Sequence, residues 1–163
     1  MDFSFNEEQQ MLLDTTRRFI SERYGFEHRT TVLTSQDGWS HEVWAQLGEL
    51  GLLAINIPEE EGGIGAGPLG TMLVSNAVGE GLLVEPFLSS AVVATQAIVQ
   101  LGSRAQREAW LPALASGELI AVFALDEVSG VVDARAISTQ AVAVGDGWEI
   151  SGCKSIVYHA PAS

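Results

Sequence analysis

Between positions 6 and 24, Leu12, Thr15, Thr16, Phe19 and Ile20 fall on one face at helical spacing. Asn6 is a good N-cap there, Glu7 and Glu8 complement the helix dipole, and Gly25 ends the segment. A second helix is predicted from Ser40, with Val43, Leu47 and Leu50 aligned and Gly51 as its stop. Pro68 opens a third, along whose face lie Leu69, Met72, Leu73, Asn76 and Ala77; Gly79-Glu80-Gly81 weakens its end. The fourth carries Leu88, Ala91, Val92, Thr95, Ile98 and Val99 on one stripe before Gly102. A short fifth, residues 104–111, stops before Pro112 and the Ser116-Gly117 break.

After Gly117 the period becomes extended. Residues 119–125 are apolar on both alternating faces, which predicts a strand buried on both sides. Residues 136–144 and 148–151 flank Gly145-Asp146-Gly147 and predict a hairpin, and 155–158 a further strand. The fold class expected is α+β: an all-α domain over residues 1–117, then the beginning of an antiparallel β domain over 118–163. Three or four strands would leave unpaired edges and an uncovered apolar face, so the natural chain is expected to continue or another chain to complete the sheet.

The chain has 163 residues, 47% apolar and 18% charged, a composition that builds a packed core and excludes disorder as the main state. Eight Lys and Arg against 21 Asp and Glu give a net charge of −13, which repels phosphate backbones and anionic lipid, so no nucleic-acid or membrane partner is expected. The run 119–125 is far too short to span a bilayer, and the acidic start, Asp2 to Glu8, does not look like a targeting segment. The lone Cys153 and three scattered His residues show no metal-ligand spacing, and a reducing, cytoplasmic location is expected.

Leu52-Leu53-Ala54-Ile55-Asn56-Ile57, then Gly62-Gly63-Ile64-Gly65-Ala66-Gly67 and a helix, imitates the strand, glycine loop and helix of a dinucleotide fold. Pro58-Glu59-Glu60-Glu61 intervenes and puts three carboxylates where a pyrophosphate would sit, so the glycines read as structural. The Glu triplet reads as a solvated loop rather than a cation site. His28, His41 and His159 read as surface or hydrogen-bonding residues, and Trp39, Trp44, Trp110 and Trp148 as packing residues. No nucleophile elbow of the form G-x-S-x-G is present, so hydrolase chemistry has no support.

Three segments together resemble the acyl-CoA dehydrogenase family: Phe5-Asn6-Glu7-Glu8-Gln9-Gln10-Met11-Leu12; Leu47-Gly48-Glu49-Leu50-Gly51-Leu52-Leu53-Ala54 running into Ile57-Pro58-Glu59-Glu60-Glu61-Gly62-Gly63-Ile64-Gly65; and Leu101 to Arg107 with Trp110 to Glu118. The resemblance implies an N-terminal helical domain, a middle β domain and a C-terminal helical domain that this chain lacks. It implies FAD held with help from a neighbouring subunit, and dehydrogenation of an acyl-CoA thioester to the 2-enoyl-CoA. A Glu in the C-terminal part serves as base in the family, so no catalytic residue is expected in this chain. Partners implied are acyl-CoA and other subunits of this type, in a homo- or hetero-oligomer, with an electron-transfer flavoprotein as one acceptor open to it.

The family's flavin-contacting stretch, aromatic-x-aliphatic-Thr-Glu-Pro-x-Ala-Gly-Ser-Asp, matches residues 123–133, which makes Phe123, Leu125 and Asp126 the candidate cofactor-binding residues. Phe123, Leu125, Glu127 and Asp133 keep the pattern, whereas Asp126 stands where a Thr hydroxyl would donate to flavin, and an ionised carboxylate can only accept. Val131 and Val132 replace the Gly and Ser near the substrate. A second flavin segment, Lys-x-Trp-Ile-Thr, corresponds to Lys154-Ser155-Ile156-Val157-Tyr158, with Ile156 for the Trp and Tyr158 for the Thr. These departures imply a weakened or lost flavin site, and with it the alternative of a non-catalytic partner subunit in a heteromeric dehydrogenase of the kind used in bacterial steroid degradation.

Overall fold

The computed structural model describes residues 4–127 and 134–163. Helices α1 (Glu7–Arg23), α2 (Phe26–Leu33), α3 (His41–Glu49), α4 (Gly67–Glu80), α5 (Thr95–Leu101) and α6 (Arg104–Ser116) build the first two thirds; one antiparallel hairpin, β1 (Gln140–Val144) and β2 (Gly147–Ser151), follows. The α+β organisation expected from the sequence is the one observed.

α1 starts on the predicted cap: Asn6 Oδ1 accepts from Gln9 N at 2.8 Å, and the Gln9 side chain accepts from Asn6 N in return. Its buried face is Leu13, Thr16, Phe19 and Ile20. Arg17 pairs with Glu80 of α4 at 2.9 Å, but both side chains are half exposed, so the pair contributes little beside the apolar face. Ser40 caps α3, and Ser103 caps α6 with a second capping box.

The core's centre is an irregular run. Leu52, Leu53, Ile55 and Ile57 have no exposed surface, and Leu52–Ala54 is one 3-10 turn rather than a strand. Every carbonyl of residues 54–57 is nevertheless satisfied: Ala54 O by Ile64 N, Ile55 O by Ala66 N, Ile57 O by Gly65 N, and Asn56 O by the Gln96 amide. The buried Asn56 side chain donates to Ala91 O and accepts from Thr71 Oγ1. The glycine loop therefore folds back over the buried run. A Cβ on Gly63 would lie 2.0 Å from Ile57 O, so the loop's approach requires glycine there.

Several expectations are corrected. α2, between Gly25 and Thr34, is unpredicted because it has no apolar stripe: only Val32 is buried, Phe26 is 75% exposed, and Thr30 and Thr31 turn their hydroxyls onto the carbonyls four residues back. On α4, Leu69 and Met72 are exposed and the buried set is Gly70, Leu73, Val74 and Ala77. The expected fourth helix begins as a π-helix, Phe87–Ala94, before becoming α5. Its wider turn buries Phe87, Ser90, Ala91, Ala94 and Thr95 and leaves Leu88 at the surface, which displaces the stripe drawn at α-helical spacing. α6 continues through Pro112 to Ser116, because Leu111 and Leu114 are both driven into the core and Gly117 closes the end at φ +83. There Trp44 Nε1 donates to Gly117 O at 3.1 Å.

Residues 119–125 are extended but pair with no strand among the described residues. The two-sided apolar signal is real, and helices answer it: Leu119 and Ala121 pack on Ala54, Ile57, Leu111 and Leu114, while Ile120 packs on the main core. β1 starts at Gln140 rather than 136, after a 3-10 turn at Ala134–Ala136, and residues 155–158 form no strand. Trp44 is core and Trp39 is packed against it; Trp110 and Trp148 are exposed, contrary to the packing role expected of them.

Two glycines separate the roles that glycine plays here. Gly63→Ala is expected to lower stability by about 2–3 kcal/mol, because backbone must move. Gly79→Ala, inside α4 with open space around it, is expected to raise stability by about 0.5–1 kcal/mol. Thermal unfolding of both variants beside the parent checks the pair.

Candidate functional site

The candidate cofactor segment leaves the helical part at Gly117 and runs along it to Glu127. Leu119 N donates to Ala113 O and Ala121 N to Ser90 Oγ, so the segment is fixed at its start by α6 and the π-helix. Beyond Ala121 it lifts off: Phe123 is 49% and Leu125 41% exposed, and Asp126 is half-buried.

The second candidate segment runs antiparallel beside the first. Glu127 and Lys154 form an isolated bridge, and Ser155 N donates to Asp126 O at 2.9 Å. Lys154 Nζ donates to Leu125 O at 3.1 Å and to Glu127 Oε1 at 3.0 Å. Glu127 also receives the backbone N–H and hydroxyl of both Ser138 and Thr139. These four donors, led by the Ser138 hydroxyl, hold the Glu127 carboxyl far below the ordinary carboxylate range. One carboxylate thus gathers residues 125–127, 138–139 and 154.

The two predicted segments are therefore neighbours, as a shared site requires. Phe123, Leu125, Ile156 and Tyr158 are all exposed, the last two at 71%. Such apolar edges suit the face of a planar ring. Asp126 does not meet the other requirement: ionised, it offers acceptors only, so it supplies no donor toward a flavin. Val131, Val132 and Asp133 lie outside the described residues. Among the described residues no cluster of His, Cys, Asp and Glu is arranged to hold a metal, and no helix is long and apolar enough to cross a membrane.

Sequence reasoning missed two features. Ile156 and His159 hold left-handed backbone, at φ +51 and +59. For a β-branched side chain such as Ile156 that conformation is a true outlier, costing on the order of 1–3 kcal/mol. Nothing in the composition of 154–159 signals it. The second is Glu85, buried at 4% exposure, whose Oε1 accepts from Ser40 N at 3.2 Å while Oε2 has no partner. Burial pushes the Glu85 carboxyl above its usual range, and the Tyr24 hydroxyl, buried beside it, rises to about 12. Of the acidic loop, Glu59 and Glu60 are solvated as expected, while Glu61 pairs with Arg107 of α6 at 3.2 Å. Beside the acidic loop, Glu8, Met11, Leu12, Leu50, Glu59 and Ile64 line an open groove of roughly 500 Å³.

Residues 6–118 match the family described as "Acyl-CoA dehydrogenase, N-terminal domain". The chain belongs to the acyl-CoA dehydrogenase family. It is similar to acyl-CoA dehydrogenase FadE12 of Mycobacterium tuberculosis, 34% identical over 164 residues, which cover 96% of this chain and 40% of that protein. It is also similar to (2S)-methylsuccinyl-CoA dehydrogenase of Cereibacter sphaeroides, 32% identical over 161 residues, covering 95% of this chain and 28% of the relative. Among solved structures it superposes on a variant of the Tcur3481-Tcur3483 steroid ACAD with a TM-score of 0.87 at 30% identity, covering 94% of this chain and 42% of that one. The ChsE4-ChsE5 complex from Mycobacterium tuberculosis gives 0.84 at 29% identity, covering 96% and 42%. The chain thus spans less than half the length of these acyl-CoA dehydrogenases.

Within that family frame, the Glu127 clamp generates a pH prediction. Its folded-state pKa is depressed, so its contribution to stability is fully present above the unfolded value of about 4.3 and is lost as pH falls below it toward the folded value. Glu127→Gln should accordingly speed amide exchange in residues 138–144 and 153–155 at neutral pH. The gap between variant and parent should begin to narrow as pH falls below about 4 and be smaller at pH 3 than at pH 7. Exchange followed by mass spectrometry between pH 3 and 7 reads both.

Proposed function

We propose that this chain serves as the N-terminal and early β portion, divided near residues 117 and 118, of an acyl-CoA dehydrogenase-type flavoprotein subunit. The reaction class is α,β-dehydrogenation of an acyl-CoA thioester. In that class a base would take the α-proton and FAD would accept the β-hydride, leaving the 2-enoyl-CoA. The observation that carries this reading is the antiparallel placement of 123–127 beside 154–158, fixed by Ser155 N on Asp126 O and by Lys154 on Leu125 O. It sets residues 125–127 beside 154–155, and the exposed Phe123, Leu125, Ile156 and Tyr158 on these two segments support reading them as parts of one cofactor surface. FAD would supply the hydride acceptor. This chain's share would be to present that apolar surface, with the base contributed from outside these residues and an electron-transfer flavoprotein as acceptor.

A second reading has a specific observation in its favour. Asp126 offers no donor in its ionised form and would repel the anion of reduced flavin. The solved ChsE4-ChsE5 complex and the Tcur3481-Tcur3483 steroid ACAD are each named for two polypeptides. A non-catalytic subunit that shapes a neighbour's active site, in an assembly acting on a steroid-derived acyl-CoA, is the form this reading takes.

The flavin content of the native assembly, from visible absorbance against total protein with each polypeptide quantified, decides between them. As many flavins as subunits, counting every polypeptide, is expected for the flavoprotein reading; about half as many flavins as subunits, or none, supports the partner reading. Under the first, Asp126→Thr combined with Ile156→Trp should tighten flavin binding by up to about tenfold, the effect of one ordinary hydrogen bond gained. Under the second it should change little.

A further inference from the structure

Segment 156–159 carries two left-handed non-glycine residues, and its last residue contacts the helical part. Such backbone persists only where its surroundings over-determine it. The surroundings are specific. His159 Nδ1 lies 2.8 Å from Ser89 Oγ, and His159 Nε2 lies 3.3 Å from Val84 O. The carbonyl can only accept, so Nε2 carries the hydrogen, and in the neutral ring Nδ1 accepts from the Ser89 hydroxyl. Both ring nitrogens are thereby used, which fixes the imidazole in position and in plane.

We propose that His159 is a positioning residue: latched to Ser89 and Val84, it holds segment 154–158 in its strained conformation at a fixed place on the helical domain. The π-helix supplies the anchor. Consecutive residues of a helical turn point in different directions, and here Ser89 takes His159 while Ser90 Oγ accepts from Ala121 N. The two serines thus hold the ends of both candidate cofactor segments, 119–127 and 154–159. A wide helical turn inserted at this point is a feature that recurs at functional sites. Ala160–Ala162, a 3-10 turn capped by His159, continues from the latch. That the latched segment faces a flavin rests on the flavoprotein reading; the latch itself rests only on these contacts.

The test uses the chain in its native assembly, with Ser89→Ala, His159→Ala, the double variant and His159→Asn, followed by amide exchange. Ser89→Ala should speed exchange across 154–160 about fivefold, the effect of losing one ordinary hydrogen bond, and His159→Ala further, since it loses the Val84 contact as well, while α1, α3 and α6 stay unchanged. The double variant should be no faster than His159→Ala alone, since that change already removes the one contact that Ser89→Ala breaks. Asn tolerates left-handed backbone but is too short to span Ser89 and Val84 together, so His159→Asn should behave like His159→Ala. Exchange unchanged in Ser89→Ala, additive effects in the double variant, or parent-like behaviour of His159→Asn would each overturn the latch. Flavin content, measured separately on the parent, bears on the flavoprotein reading alone: an assembly without flavin on this chain would sink that reading, and the exchange results would still decide the latch.

Discussion

The structure depends on burying six consecutive residues, Leu52 to Ile57, that form no regular ladder. The hydrophobic gain is large, about 1.5–3 kcal/mol for each of Leu52, Leu53, Ile55 and Ile57. It is available only if the backbone polar groups that enter with them find partners, since each orphan costs about 1–3 kcal/mol. The loop 62–66 provides those partners, three of its N–H groups meeting the carbonyls of residues 54, 55 and 57. Glycine adds an entropic cost of about 0.5–1 kcal/mol per residue, which is smaller than the carbonyl desolvation it prevents. The glycines are there to fold backbone over backbone. A phosphate in that loop would compete for the N–H groups that the buried carbonyls already occupy.

That central run also sets where everything else can go. Gln96 and Ala91 reach Asn56 from α5 and the π-helix, and α6 closes over Ala54 and Ile57 through Leu111 and Leu114. Because the π-helix is pinned from inside, the half-buried Ser89 and the buried Ser90 stand at fixed places and become the anchors for the two extended segments. The candidate cofactor surface is therefore positioned by side-chain hydrogen bonds to a helical scaffold more than by strand pairing, of which it has a single bridge and one backbone hydrogen bond. Stiffness comes from the scaffold and from the Glu127 clamp. The exposed apolar residues at its edge are what remains to be covered.

What could be read in advance follows the same physics. α1 and α3 were legible because cap and apolar stripe agree, and the family resemblance was legible because the glycine loop and its flanks are a local constraint written in local sequence. The π-helix was not, since its composition is that of an ordinary amphipathic helix and only the demand to bury Phe87, Ser90 and Thr95 together selects the wider turn. Thr95 records the outcome by donating its hydroxyl to Ser90 O, five residues back. Residues 119–125 announced two apolar sides correctly, but periodicity does not say whether a sheet or helices will supply the neighbours. Of the candidate site, the two motif segments could be named from local sequence, whereas the adjacency of Leu125 and Asp126 to Lys154 and Ser155 and the left-handed Ile156 and His159 arise from tertiary contacts that no window of sequence contains.

The same contacts bear on how the departures from the family pattern are weighed. Had the clamp decayed along with Asp126, Ile156 and Tyr158, the segments would have no reason to stay together. Instead Glu127 keeps its four donors from Ser138 and Thr139 together with Lys154, and Lys154 keeps its hold on Leu125. The framework is intact while the groups that would touch flavin have changed. A backbone strained at two positions, clamped by a carboxylate and latched by an imidazole is maintained against a free-energy cost, and that cost is sustained where the surface it shapes is used. Both readings of the function therefore place selection on this surface. They differ in whether it faces the chain's own flavin or a neighbour's.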